Sequence, residues 1–216
     1  MTNPSDVPVR EPGTRSRSGN AMGRTRAALL GATAECVARY GIRKTTMVDV
    51  ASKSGVAKAT LYNHFRTKDD VLAAVVEQQV ADLVGACVTT ASSAGLADAL
   101  AHVATTLADH PGLRKAAEDE QALLAVLMTP SQARGWQLAR EGVAAVLTAG
   151  GAPSTAIEVE LVLRWCTSQV LWPVPRAESR AAAEALVKGL TLRPLAAPVA
   201  VAAPAAPAGG ALGWPA

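Results

Sequence analysis

Apolar residues return at three- and four-residue steps along most of the chain. Leu29, Ala32, Thr33, Cys36, Val37 and Tyr40 form one such stripe, which predicts a helix over residues 24–40. Gly41 is a natural stop for it. Thr46 with Asp49 three residues on has the form of a capping box and starts a second, short helix over 46–53. Ser54-Gly55 then supplies a tight turn, and a third helix is expected over 57–65. Thr67 and Asp70 repeat the capping signal for a fourth helix reaching about residue 90. Downstream the pattern predicts helices over 96–109, 114–128, 130–149, 154–171 and 176–190. Pro111-Gly112, Pro130, Gly150-Gly151-Ala152-Pro153 and Pro173-Val174-Pro175 separate them, since proline suits first turns and the residues just past helix ends. No segment alternates with period two, so the expected fold is all-α.

Prolines also mark the ends of the folded region. Three lie within residues 1–12 and five within 194–215, while none occurs from Gly13 to His110. Residues 1–21, rich in Pro, Ser, Arg and Gly, read as a disordered basic arm, and 193–216 as a disordered Ala/Pro tail. That leaves a domain over 22–72 and a second helical domain over 73–192.

Composition narrows the class. The chain has 216 residues, half of them hydrophobic, yet only seven are aromatic; alanine and leucine carry the apolar content, which favours helix over strand. No run of about 18 uncharged apolar residues is present, so no segment is expected to span a bilayer. The N-terminus lacks the apolar stretch of a signal peptide. Cys36, Cys87 and Cys166, odd in number and far apart, fit neither a disulfide framework nor a metal site, and a cytoplasmic location is expected. Charge is unevenly spread. Residues 1–72 hold twelve Lys and Arg against six Asp and Glu, whereas the remainder is mildly acidic. A basic N-terminal third points to a polyanion as its partner.

Two short helices joined by a glycine-containing turn are a helix-turn-helix. Val50, Ala51, Val56 and Leu61 would supply its small core, and the small Ala51 and Ala57 let the helices approach closely. The segment Thr46-Met-Val-Asp-Val-Ala-Ser-Lys-Ser-Gly-Val-Ala-Lys-Ala-Thr-Leu-Tyr-Asn-His-Phe-Arg-Thr-Lys-Asp-Asp-Val-Leu72 resembles the N-terminal DNA-binding domain of the TetR family of bacterial transcriptional regulators. Gly55-Val56, Thr60 through Phe65, Lys68 and Leu72 carry the resemblance, which is strong over residues 24–75. Val50, Ser54 and Ala59 depart from it, standing where isoleucine, alanine and glycine are usual.

The resemblance implies that the helix from Ala57 enters the major groove of double-stranded DNA, its first residues facing base edges. Lys58, Thr60 and Asn63 are candidate base readers: Lys58 suits guanine, and Asn63 suits adenine or a phosphate. Tyr62, His64 and Lys68 match the family's phosphate-contacting positions, and Thr46 offers a hydroxyl to another phosphate. Arg24 and Arg26, with Arg15 and Arg17 of the arm, would add counterion-releasing contacts.

For residues 76–190 the resemblance implies an effector-binding and dimerisation domain. The helices over 130–149 and 154–171 sit where the family's dimer-forming pair lies, and Ile157, Leu161, Val162, Trp165, Val170, Leu171 and Trp172 make the second unusually apolar. An isologous four-helix bundle would bury them in a homodimer. Trp136, Trp165, His102, His110, Met128, Cys166 and Gln169 are the larger or polar groups available to line an effector cavity, and their apolar balance favours an apolar small molecule.

The function expected is therefore a homodimeric repressor released from a near-palindromic operator by a small-molecule effector. A ligand-independent architectural DNA-binding protein is the alternative, marked by steep salt dependence with little sequence preference. An enzyme is not expected: the chain has no HExxH, CxxC, glycine-rich phosphate loop or GxSxG, and neither cofactor nor metal is called for.

Overall fold

The structure is a computed structural model that describes residues 14–191, with side chains from residue 21 on. Ten α-helices and one 3-10 turn, with no strand, make up the described residues. In order they are α1 (Thr14–Tyr40), α2 (Met47–Ser54), α3 (Lys58–His64), α4 (Lys68–Ser93), α5 (Leu96–Asp109), α6 (Pro111–Asp119), α7 (Gln121–Leu127), α8 (Arg134–Ala149), α9 (Ala156–Leu171), the 3-10 turn Arg176–Glu178, and α10 (Ser179–Thr191).

Two separate cores organise the helices. Leu29, Leu30 and Ala32 of α1, Val50 and Ala51 of α2, and Leu61 of α3 close the first, together with Phe65 and with Val71, Ala74 and Val75 of α4. The second gathers Cys87 and Ala91 from the far end of α4 with Leu96, Ala99 and Leu100 of α5, Val146 and Leu147 of α8, Val159, Val162 and Leu163 of α9, and Ala183 and Leu190 of α10. One helix thus serves both cores. Residues 71–75 stabilise the N-terminal unit although they lie beyond the α3–α4 turn.

Both capping boxes form. Thr46 Oγ1 accepts the Asp49 amide at 3.2 Å while Asp49 Oδ2 accepts the Thr46 amide at 3.0 Å. Thr67 and Asp70 repeat the exchange at 3.1 and 2.9 Å. Each box satisfies two first-turn donors that a bare helix end would leave free. Gly55, with φ of 68°, caps α2 in the left-handed region that its lack of a Cβ makes inexpensive.

Several expected boundaries shift. The first helix starts at Thr14, ten residues before the predicted start, so part of the expected arm is helical, Arg15 and Arg17 included. The other residues of that arm and the Ala/Pro tail lie outside the described residues. The helix predicted over 114–128 is two, because Glu120 leaves the helical region with φ of −136° and ψ of 42° while ending α6 and starting α7. Pro111 opens α6 in the first turn, where its missing N–H costs nothing.

The uncovered apolar surface on the two helices expected to pair in a dimer is narrower than the sequence suggests. α8 packs along α4 and against α9, and Gly142 lets α4 approach so closely that a Cβ there would sit 2.2 Å from Val84 Cγ2. The exposed positions of α8 are Arg134, Glu141, Ala145 and Thr148, polar or small. Val162 is buried in the second core. On α9, by contrast, Ile157 is 70% exposed and Leu161 49%, with the exposed Arg164 following them, and Leu171 and Trp172 are exposed at the helix's end.

By length and composition α4 is apolar enough to cross a membrane, with a mean hydropathy of 1.6 over its most apolar 18 residues. It carries Glu77 and Asp82, however, and packs against α1, α5 and α8 as a central core helix.

Candidate nucleic-acid interface

α3 is short and two-sided. Leu61 and Phe65, four residues apart, point inward and are 0% and 6% exposed. Lys58, Ala59, Tyr62, Asn63 and Arg66 are exposed around the opposite side. The three-to-four-residue spacing that builds the core therefore also gathers an amine, a phenol and an amide on one outward strip, with the Arg66 guanidinium just beyond the helix end. Thr60 and His64 flank this strip as a half-buried pair one turn apart. The structure thus groups Lys58 and Asn63 with Tyr62 and places Thr60 to one side.

α2 lies behind α3 and is fastened to α1. Lys53 Nζ reaches Glu35 Oε2 at 2.6 Å across the surface between them. Arg26 lies over the Phe65 ring, 5.4 Å from its centroid, so this cation is stacked on the end of the α3 core while staying exposed. Arg24 is exposed one turn-fraction away.

Two of the expected phosphate contacts have other partners in the structure. The Thr46 hydroxyl donates to Asp49 Oδ2 at 2.6 Å besides accepting the Asp49 amide, so it is committed to its cap. Lys68 is half-buried, and its Nζ donates to the carbonyls of Ile42 at 3.0 Å and Arg43 at 3.1 Å. Those two bonds fix the α1–α2 loop against the start of α4, leaving one ammonium N–H for any further acceptor.

Cations that the sequence reading did not single out stand nearby. Arg43 and Lys44, both exposed, precede the Thr46 cap, and Arg66 follows α3. Their signal lay in the charge count of the first third rather than in any motif. Arg43 and Lys44 line a small cleft with Tyr40, Asp119 and Glu120, whereas Lys58 and Arg66 stand at the two ends of α3 and add positive charge there, as a phosphate backbone requires.

A cleft of about 480 Å³ lies between the end of α5, α6 and the segment following α9. Leu107, Leu113, Ala117, Val170 and Val174 give it apolar walls, with Arg114 at its edge. None of the residues nominated from sequence lines it. His102 is exposed on α5. His110 caps α6, its Nδ1 accepting the Leu113 amide at 3.2 Å, and burial holds its imidazole below the ordinary value. Trp136 donates its indole N–H to the Leu127 carbonyl at 3.2 Å. Gln169 is buried with its amide donating to Trp165 O and Ser168 Oγ and its oxygen accepting the Val174 amide, so it pins the chain after α9. Burial raises the Cys166 thiol to about 12 and the Cys87 thiol to about 11, which leaves both protonated and unreactive at neutral pH. Among the described residues no group of His, Cys, Asp and Glu is arranged to hold a metal ion.

Residues 29–75 match the model of the bacterial regulatory proteins of the tetR family. No curated protein sequence matches the chain. Solved structures share its fold at low identity. A TetR-family transcriptional regulator from Pectobacterium atrosepticum is 23% identical, with a TM-score of 0.58 over 84% of this chain and 100% of that one. The TetR-family repressor AlkX from a Dietzia species is 18% identical, with a TM-score of 0.59 over 76% and 94%. The regulator FadR from Bacillus subtilis, solved in complex with stearoyl-CoA, is 18% identical, with a TM-score of 0.51 over 76% and 98%. The match falls on the unit built from α1 to α4, whose outward strip on α3 has just been described. Residues 29–75 thus carry the helix-turn-helix of the bacterial regulatory proteins of the tetR family, and the chain as a whole shares the fold of solved regulators of that family.

Proposed function

We propose that the protein is a homodimeric repressor that reads a near-palindromic operator and is released from it by an apolar small molecule. The observation that carries this reading is a pair of uncovered faces with opposite chemistry. α3 turns Lys58, Tyr62 and Asn63 outward, and α9 turns Ile157, Leu161, Leu171 and Trp172 outward. Lys58 and Asn63 read base edges, with Thr60 at the border of the strip; Tyr62, His64 and Lys68 serve phosphates, and Thr46 orders the start of α2 beneath them. Two α9 faces meeting about a two-fold axis bury the apolar side chains and place two α3 helices on successive major grooves, about 34 Å apart.

The cleft beside α6 supports a largely apolar effector with a polar end, because Leu107, Leu113, Val170 and Val174 line it together with Asp109, Arg114, Glu118 and Arg176, and it opens on the helix that packs against α1. FadR of Bacillus subtilis, which shares this fold, was solved in complex with stearoyl-CoA, a molecule with a long apolar chain. An effector shifts the equilibrium only by its differential affinity for the two states, about 1–3 kcal/mol in typical coupling. The decisive experiment is selection of bound sequences from a random duplex pool at near-physiological salt, in the cytoplasmic range of ions. Enrichment of a near-palindrome is the expected outcome. Retention without enrichment would overturn the operator reading in favour of a protein that binds DNA without regard to sequence.

A further inference from the structure

Glu120 reaches across 78 positions of sequence to the loop between α1 and α2. Its Oε2 accepts the Ile42 amide at 2.8 Å and its Oε1 accepts the Arg43 amide at 2.7 Å. Lys68 Nζ holds the carbonyls of those same two residues. The dipeptide Ile42-Arg43 is therefore gripped on its amide side by a carboxylate from the helical domain and on its carbonyl side by an ammonium from α4. Charge-assisted bonds of this kind are shorter and stronger than neutral ones.

Local structure is shaped around the grip. Glu120 ends α6 and starts α7 with a backbone outside the helical region, which releases its side chain from the α6–α7 surface toward the loop. Its own amide still bonds to Ala116 O and its carbonyl still accepts from Leu124, so the break sacrifices little pairing. Gly41, with φ of 86°, stands against the carboxylate: a Cβ there would lie 3.2 Å from Glu120 Cδ and Oε2. The site needs glycine both for the backbone and for the approach. Five residues after Gly41, the loop delivers Thr46 and with it the start of α2.

We propose that Glu120 is a positioning residue for DNA recognition: by holding the Ile42 and Arg43 amides it fixes the helix-turn-helix at one angle to the helical domain. The inference rests on the reading of the protein as a two-half-site DNA reader, since only then does that angle set the spacing between recognition helices. α1 also packs on α6, where Gly112 admits Val37, and that contact keeps the two units adjacent. That packing and the continuous α4 keep the units side by side, and the carboxylate adds the bonds that tie the α1–α2 loop itself to the α6–α7 junction.

The test compares the full-length wild type with Glu120→Ala and the nearly isosteric Glu120→Gln, which keeps one carbonyl acceptor. Spin labels at Ser52 on α2 and Glu141 on α8, both exposed, report the intrachain distance when the labelled chain is diluted into unlabelled protein. Glu120→Ala is expected to broaden the distance distribution about twofold, with Glu120→Gln intermediate. On an operator selected by the wild type, Glu120→Ala should bind about tenfold more weakly, as loss of charge-assisted bonds predicts. It should also discriminate less against an operator with one base pair inserted between half-sites. A merely structural cap would lower stability without changing that spacing preference. Unchanged distance widths with unchanged spacing preference overturn the proposal. If Glu120→Ala fails to fold, Glu120→Gln decides by the same two readouts. If the wild type selects no operator, the dimeric-reader reading fails, and the distance widths alone decide whether Glu120 fixes the angle.

Discussion

α3 and α9 each present a side that the other described residues leave uncovered, and they were built by the same helical spacing. On α3, with its inner side anchored by Leu61, the outer side carries an amine, a phenol and an amide. On α9, with Val159, Val162 and Leu163 inward, the outer side carries isoleucine, leucine and tryptophan. A polar strip remains stable in water and can wait for a ligand that exchanges hydrogen bonds. An apolar strip of this size on a small protein calls for permanent cover. The contrast teaches that amphipathic period places a helix, while the residues of its second face decide what it meets.

The sharpest way to break the comparison is to give α9 the chemistry of α3. Ile157→Glu with Leu161→Glu should turn the protein monomeric in sedimentation, because association would bury two carboxylates per chain without partners. Affinity for a two-half-site operator should then fall at least about a hundredfold, the cost of losing paired half-sites. A dimer that survives both substitutions would place the interface elsewhere. Next in size are the outward residues of α3. Asn63→Ala and Lys58→Ala should each cost about 1–3 kcal/mol on the preferred sequence if they read bases, and should relax preference at one position of the selected site. Equal loss on all duplexes would make them phosphate contacts.

Capping tests the parts that both regions share. Thr46→Ala and Thr67→Ala should each lower unfolding free energy by about 1 kcal/mol in denaturant titrations. Thr46→Ala should disturb α2 alone, whereas Thr67→Ala should loosen the start of α4. The smallest effect is a pH dependence centred on His110. Burial depresses its folded-state affinity for protons, so the unfolded chain protonates first as pH falls below its ordinary value of 6.5. The stability it contributes is complete above that pH and declines as pH falls further, since protonated Nδ1 can no longer accept the Leu113 amide. His110→Asn retains a capping acceptor, and its melting temperature between pH 7 and pH 5 should show a shallower slope than the wild type.

Much of the N-terminal unit was legible because its signals are local. Thr46 with Asp49, Gly55, and Thr67 with Asp70 each act over three or four residues, and each does in the structure what its spacing implies. The inward places of Leu61 and Phe65 follow from the same short period. Lys68 was not legible in that way, since its partners are carbonyls 25 and 26 residues back. Glu120 was hidden for the same reason: in sequence it is one acidic residue in a helical run, and only the fold brings the Ile42 amide to it. The cleft lining was missed because size and polarity nominate side chains such as Trp136 and Gln169, which turn out to be occupied by neighbouring backbone. Small aliphatic residues such as Ala117 and Val174 make the wall, and nothing in their identity marks them.

The long helix α4 has a consequence for how the molecule comes apart. Val71 and Val75 near its start are fixed in one core, and Cys87 and Ala91 near its end in the other. Melting either core frees half of a cooperative helix and thereby weakens the hold on the other half. The two units are therefore expected to melt together in a single calorimetric transition, and the slowest-exchanging amides should run along α4 from end to end.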